Sequence, residues 1–249
     1  MAEFIVVGGT GQIGVKTVAR LRSRGREAVA ASPSSGVDLV SGEGLDAVLA
    51  GASVVIDVSK PRAGDPASVR EFFTTGIANL LQAEREHGIR HHLCLSIVGS
   101  DRPHDVPFYA AKVQGEALVR EAGIPWTIVH ATQFFEFAPA IAAMAEQGDE
   151  VVLPDALVQP VSGADVAEVL VELALGTPLE SDIEIAGPER MRLTDFVSRV
   201  LRARGDSRVV RSGPEGRYFG GGLEHDTLLP GTDARILPTR FQEWLIASA

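Results

Sequence analysis

Apolar positions along this chain follow two rhythms. Phe4 to Val7 is a short unbroken apolar run, the pattern of a strand buried on both faces, and the pattern returns at Ala28–Ala31, Val54–Val58, His91–Val98 and Trp126–Ala131. Between these runs apolar residues recur in steps of three and four, the spacing of one helix face. Ile13, Thr17, Val18 and Leu21 form the first such face, with Gly25 placed to end the helix. Leu45, Val48 and Leu49 form a shorter one that stops at Gly51. The longest runs through Val69, Phe72, Phe73, Ile77, Leu80 and Leu81, and a fourth carries Val113, Ala117 and Leu118.

Strand and helix therefore alternate over roughly residues 1–135, which predicts right-handed crossovers and a doubly wound parallel sheet of the Rossmann kind. Past that point the rhythm loosens. Ala138–Gln147 reads as helical, Val151–Leu153 and Leu157–Val161 as extended, Asp165–Leu175 as helical and Ile183–Ala186 as a strand. Thr194 is placed to cap a helix with Phe196, Val197, Val200 and Leu201 on one face, closed by Gly205. Residues 212–231 are rich in Gly and Pro and read as a long loop. The expectation is an α/β core at 1–135 and a small C-terminal substrate-binding region at 136–249.

Charge narrows the class. Lys and Arg number 23 against 33 Asp and Glu, a formal net charge of −10. An acidic chain without a basic run is the wrong partner for nucleic acid or an anionic membrane surface. No apolar stretch approaches the ~20 residues that span a bilayer. The start, MAEFIVVGG, lacks a positive leader, and the single cysteine, Cys94, can form no intramolecular disulfide. A reducing cytoplasm is the simplest compartment, and the oligomeric state is left open.

The first strand runs into Gly8-Gly9-Thr10-Gly11-Gln12-Ile13-Gly14, which contains Gly9-x-Gly11-x-x-Gly14 at the mouth of the first helix. Glycine there allows a tight turn, close approach of backbone to a pyrophosphate and tight packing of helix on strand. The helix N-terminus adds unpaired N–H groups and partial positive charge. A nucleotide-triphosphate loop is excluded because Val15 precedes Lys16, and one extra helical residue turns the lysine by about 100°.

The second strand ends in Ala31-Ser32-Pro33-Ser34-Ser35-Gly36, with no acid before Asp38. An NAD site would place a carboxylate there for the ribose 2′-hydroxyl. Its absence removes repulsion against a 2′-phosphate, and the hydroxyls of Ser32, Ser34 and Ser35 can donate to one. NADP(H) is thus preferred, with NAD(H) as the alternative and a plain solvated serine turn as the bland reading. Asp57, Val58 and Ser59 end the third strand at the same sheet edge, beside the expected cofactor.

The chain resembles the NmrA-like, NAD(P)H-binding atypical short-chain dehydrogenase/reductases over nearly its whole length. The resemblance is carried by GGTGQIG from Gly8, AASPSSGVD from Ala30, GEGLDAVLAGASVVIDVS from Gly42 and RHHLCLSIVGSDR from Arg90. FYAAKVQGE from Phe108, GIPWTIVHATQFFEF from Gly123, QPVSGADVA from Gln159 and EIAGPER from Glu184 extend it. It implies a Rossmann fold, a nicotinamide cofactor and reduction of quinones, carbonyls or conjugated double bonds. It further implies a Ser that orients the substrate oxygen, a Tyr that gives the proton, and a Lys four residues later that holds the nicotinamide ribose. Ser96 and Lys112 stand at the family positions. The position four before Lys112 is Phe108, however, and Tyr109 is three before; both spacings share a helix face. Three functional readings follow: an NADP(H)-dependent oxidoreductase acting on a small apolar carbonyl or quinone; a dinucleotide sensor without turnover, which Phe108 favours; and a tailoring enzyme of non-redox chemistry that keeps the cofactor as scaffold.

The remaining candidates concern substrate. His130, Gln133, Phe134 and Phe135 end or follow the Trp126 strand at the ligand-binding edge, and Phe137, Tyr218 and Phe219 are further aromatics for an apolar pocket. His91 and His92 alternate across a strand and cannot jointly hold a metal; His87, His104 and His225 lack partners at ligand spacing. No metal is expected, and Cys94 reads as a small buried hydrophobe.

Overall fold

A computed structural model describes residues 2–61, 65–102 and 105–248, so His104 lies outside the described residues. The strands are β1 (Phe4–Val7), β2 (Ala28–Ala31), β3 (Val54–Asp57), β4 (His91–Ile97), β5 (Trp126–Ala131), β6 (Glu146–Gln147), β7 (Glu150–Leu153), β8 (Leu157–Val158), β9 (Asp182–Ala186), β10 (Met191–Arg192), β11 (Val209–Ser212) and β12 (Arg235–Ile236). The helices are α1 (Gln12–Ser23), α2 (Leu45–Leu49), α3 (Pro66–Glu71), α4 (Ile77–His87), α5 (Pro107–Glu121), α6 (Ala138–Met144), α7 (Gly163–Ala174), α8 (Leu193–Ala203) and α9 (Phe241–Ala247).

The main sheet has seven parallel strands in the order β12-β9-β5-β4-β3-β1-β2. β1 pairs on one side with β2 and on the other with β3, so the strand order reverses at β1. In open α/β sheets the crevice outside the carboxyl ends at such a reversal is where ligands bind. This is the Rossmann-like doubly wound fold expected from the alternating runs. No helix among the described residues is long and apolar enough to cross a membrane.

The chain divides into two compact units, each assembled from separate stretches. The first comprises Met1–Ser96, Ala111–Val129 and Val166–Ile183 and contains the first four strands of the main sheet in full length but for Ile97. The second comprises Ile97–Ala110, His130–Asp165 and Glu184–Ala249. Its core gathers Phe135, Ile141, Val151, Leu153 and Phe241 around the face of α8 formed by Phe196, Val197, Val200 and Leu201. Two small sheets, β11-β7-β6 and β10-β8, belong to it.

Several local expectations are corrected. The long apolar face from Val69 to Leu81 is not one regular helix: α3 is capped by Asp65, and a π-helical turn at Phe72–Gly76 separates it from α4. The face of α5 that is buried is not Val113, Ala117 and Leu118 but Lys112, Glu116 and Val119. A helix that buries a charged pair defeats a rule built on apolar spacing. Helix α6 stops at Met144, because Glu146–Gln147 pairs antiparallel with β7. The extended run at 157 ends at Val158. Thr194 lies inside α8, whose N-cap is Arg192 at the end of β10. The elements β11, β12 and α9 are additions that the apolar spacing did not indicate.

Candidate cofactor site

The glycine turn sits where β1 meets α1. Gly8 adopts φ +76°, a left-handed conformation that side chains disfavour, and a Cβ there would come within 2.7 Å of Ser59 Cα. Gly14 is fixed by proximity instead: a Cβ would run into the Gly8 carbonyl oxygen and lie 2.5 Å from Gly9 Cα. The turn is therefore packed against the end of β3 as well as against its own helix. Thr10, Gly11 and Gln12 are exposed at its crest, while Gly9, Ile13 and Gly14 are buried beneath. No side chain caps the α1 N-terminus and no acid occupies its first turn. Such a helix end presents free N–H groups and favours an anion.

Next to it, Val58 and Ser59 are half-buried, and the Ser59 hydroxyl is buried without a hydrogen-bond partner. A closed glycine turn, an uncapped helix end and an orphaned hydroxyl beside them fit a dinucleotide phosphate and ribose.

The serines after β2 form a compact 3-10 turn at Pro33–Ser35 capped by Ser32. Ser35 accepts from Ser32 N at 2.9 Å and reaches the Ser32 and Ala30 carbonyls. Its hydroxyl is engaged within the turn. Ser32 and Ser34 share one bond of 2.9 Å between their hydroxyls. No carboxylate stands within the turn.

The inward side of β4 is polar. His92, Cys94 and Ser96 alternate onto one face by the two-residue period of a strand, and all three are buried. Helix α5 lays Lys112 and Glu116, one turn apart, against them. Ser96 donates a short hydrogen bond to Glu116 Oε1, and Glu116 Oε2 accepts from Arg120 at 3.1 Å, which also reaches Asp182. Lys112 is 6% exposed; its Nζ lies 3.7 Å from Cys94 Sγ and 5.1 Å from the centre of the Phe73 ring. Burial pushes the lysine pKa down, but Cys94, Asp57 and Glu116 more than reverse this and hold it above the usual lysine value. The cation is thus kept charged in the interior by three neighbours. A close approach by α5 allows this, since a Cβ at Gly115 would sit 3.0 Å from the Phe73 carbonyl.

Deeper on the same face, His92 Nδ1 contacts both oxygens of Glu84, at 2.8 and 3.0 Å, with both residues fully buried. The Asp57 carboxylate accepts from Ser59 N at 2.8 Å through Oδ1, and its Oδ2 is buried without a partner. Sequence reading missed Glu84, His92 and Glu116 as members of this group. The available signals were the i,i+4 spacing of Lys112 and Glu116 and the alternation of His92, Cys94 and Ser96.

In the second unit Tyr109 is fully buried. Gln133 Nε2 lies 3.5 Å from its hydroxyl, and the Tyr218 ring packs edge-on at 6.2 Å. Two of the expected residues, Tyr109 and Gln133, are therefore neighbours. His130 is buried with Nδ1 3.3 Å from the Ile97 carbonyl. Phe134 is half-buried and bridges to Val161, whereas Phe135 is packed wholly inside against Phe241 and Trp244. Phe108 and Phe137 both stack on Phe219, at 5.5 and 5.9 Å.

Burial pushes both phenols up, Tyr109 well above 10 and Tyr218 to about 12. These are the only two tyrosines of the chain. A folded pKa raised above the unfolded one gives stability that is complete below pH 10.0 and is lost as pH climbs through the folded values. In a spectrophotometric titration, tyrosinate absorbance should rise only together with unfolding. A signal near pH 10 from chain that is still folded would show a phenol open to solvent.

Comparison with known proteins agrees with this geometry. The chain is 33% identical over 99 residues to the photosystem II assembly factor Ycf39 of Cyanophora paradoxa, covering 40% of this chain but only 31% of that protein. It is 26% identical over 220 residues to the (4-alkanoyl-5-oxo-2,5-dihydrofuran-3-yl)methyl phosphate reductase of Streptomyces griseus, covering 81% of this chain and 74% of that one. The fold matches that of a dTDP-4-dehydrorhamnose reductase of Bacillus anthracis solved with NADP, at TM-score 0.74 and 14% identity, over 99% of this chain and 98% of that one. The sequence profile of the NAD(P)H-binding family matches residues 8–175, which begins at the first glycine of the turn and runs past Lys112. With the cradle, the sheet reversal and the profile coinciding, the chain belongs to the NAD(P)H-binding family, in keeping with its resemblance to the NmrA-like atypical short-chain dehydrogenase/reductases.

Proposed function

We propose that the chain is an NADP(H)-dependent oxidoreductase that reduces a small apolar carbonyl compound or quinone. The observation that carries this reading is a charged lysine, Lys112, buried against Cys94, two positions before Ser96 on β4, in the sheet that also carries the glycine turn. A buried cation and a hydroxyl there serve to hold a ribose and orient a substrate oxygen. A bound nicotinamide supplies the hydride. In this reading Gly8, Gly9, Thr10, Gly11, Gln12, Ile13 and Gly14 hold the pyrophosphate, Asp57, Val58 and Ser59 flank the nucleotide, and Lys112 grips the ribose. Ser96 donates to Glu116 in the free chain and would turn that proton to the substrate oxygen when a ligand binds. Tyr109 remains protonated over the whole working pH range and is the proton donor, with Gln133 beside it. The absence of an acid among Ser32, Ser34 and Ser35 supports NADP(H) over NAD(H). The Streptomyces relative, by its name a reductase, supports the reaction class.

A second reading, a dinucleotide sensor without turnover, rests on Phe108. It stands four residues before Lys112 and stacks on Phe219 with no polar atom to deliver a proton.

Fluorescence titration with NADPH and NADH, followed by nicotinamide absorbance against a panel of quinones and aldehydes, separates the readings. The expected result is tighter binding of NADPH, by about tenfold, and its oxidation by at least one acceptor. Tyr109→Phe should then lower the rate by about 10²–10⁴-fold while leaving NADPH affinity unchanged. Binding without oxidation across the panel would favour the sensor. Failure to bind either nucleotide would sink both.

A further inference from the structure

Asp57, His92 and Cys94 present one ligand atom each within 4.8 Å of one another, in the interior of the first unit. We infer that these three residues form a buried binding site for a thiophilic divalent cation of the zinc class. The argument begins with register. Asp57 is the β3 partner of Cys94 on β4, and His92 lies two residues before Cys94 on the same face, so a carboxylate, an imidazole and a thiol converge by strand geometry alone. Carboxylate oxygen, imidazole nitrogen and thiolate sulfur are the donor set that zinc takes.

Two of the donors, His92 and Asp57, are held by a partner through the atom that would not coordinate. Glu84 holds His92 through Nδ1, which leaves the buried Nε2 on the side of Cys94. Ser59 N holds Asp57 through Oδ1, and Oδ2 is buried with no hydrogen bond. Lys112 Nζ, 3.7 Å from Cys94 Sγ, is placed to donate to a thiolate. A carboxylate on the far nitrogen of a histidine is the usual outer partner of a metal-ligating histidine, because it fixes the ring and raises its basicity. Charges also balance. Asp57, a Cys94 thiolate and Glu84 carry three negative charges, and Lys112 with a divalent ion carries three positive ones. The ion enters as the thiol and imidazole give up their protons to solvent, so no oxidant or reductant is involved.

The site shares Asp57 and Lys112 with the proposed cofactor site, and its test reads the metal directly rather than turnover. Cys94 is the only cysteine of the chain, so any thiolate-to-cobalt charge-transfer band must come from it. The chain, stripped with chelator and kept reduced, is titrated anaerobically with Co²⁺ and then with Zn²⁺. A parallel sample expressed in zinc-supplemented medium is weighed by native mass spectrometry, which allows for slow entry to a buried site. One equivalent of cobalt should give the charge-transfer band and intense tetrahedral d–d bands, and zinc should displace it. Glu84→Gln should weaken binding roughly 10–100-fold. Cys94→Ala should lose the charge-transfer band while keeping the circular dichroism of the parent. No band in the parent, together with no zinc in the supplemented sample, overturns the inference. Cobalt bound without a thiolate band overturns it as well, and would leave the three side chains as a buried network of hydrogen bonds.

Discussion

Gly14→Val is expected to abolish NADPH binding, lowering affinity by at least about 100-fold. The new side chain would point its Cβ at the Gly8 carbonyl oxygen and at Gly9 Cα, and both obstacles are backbone. Neither can rotate away, so α1 must shift relative to the turn that feeds it. Overpacking of this kind costs ~1–3 kcal/mol of stability, which a domain of this size can absorb. Binding suffers more, because the helix N-terminus and the turn have to meet the same phosphates. Gly11→Ala is the informative companion: its Cβ would meet only the Gly8 carbonyl oxygen, at 3.2 Å, from an exposed position. It should retain most of the affinity. Fluorescence titration of both variants, with thermal unfolding to verify the fold, provides the measurement. Parental affinity in Gly14→Val would mean that the pyrophosphate does not sit on this turn.

The largest effect on stability should come from Glu84→Ala, at about 3–5 kcal/mol. Glu84 and His92 are both fully buried and bonded to each other. Burial alone pushes the imidazole pKa down, yet the facing carboxylate holds it well above the usual histidine value. Burial likewise raises the Glu84 carboxyl, and His92 counters part of that. Removing the carboxylate leaves an imidazole that has lost both its counter-charge and the bond at Nδ1. Urea unfolding at neutral pH reads the loss as a lower midpoint. Glu84→Gln keeps an acceptor for Nδ1 and should recover part of it. A deficit below about 1 kcal/mol in the alanine variant would show that water or a neighbour replaces the carboxylate with ease.

The sheet was legible in the sequence because β1, β2, most of β3 and the middle of β5 are unbroken apolar runs, and its helices are mostly apolar on one face. The glycine turn was legible for a related reason: a left-handed turn and a backbone contact each demand the same residue type, and the motif places them together. Where polar residues do the packing, that reading fails. Helix α5 turns Lys112 and Glu116 inward, and the apolar rule selected the wrong side of it. Glu84 sits on the buried face of α4 for the same reason, paired with a histidine eight positions away on the next strand. Such pairs are set by tertiary contact, and a charged residue looks alike in sequence whether it faces water or a partner. The C-terminal elements were hard to read for a different cause. The strands β6, β8, β10 and β12 are two residues long, too short to show any period.

The division into two units has a consequence for anyone who would dissect the chain. Passage from one unit to the other occurs at Ser96/Ile97, Ala110/Ala111, Val129/His130, Asp165/Val166 and Ile183/Glu184. These junctions fall within β4, α5, β5, α7 and β9, so not one of them is a linker. A single protease cut or a truncation at any of them therefore severs a regular element and releases neither unit whole. Homologous recombination of modules, the ordinary way of grafting a new substrate region onto a cofactor domain, would need every one of these five joints to be matched at once. Change in the second unit is thus confined to substitutions and to the loops it already owns, of which residues 213–234 form the longest stretch.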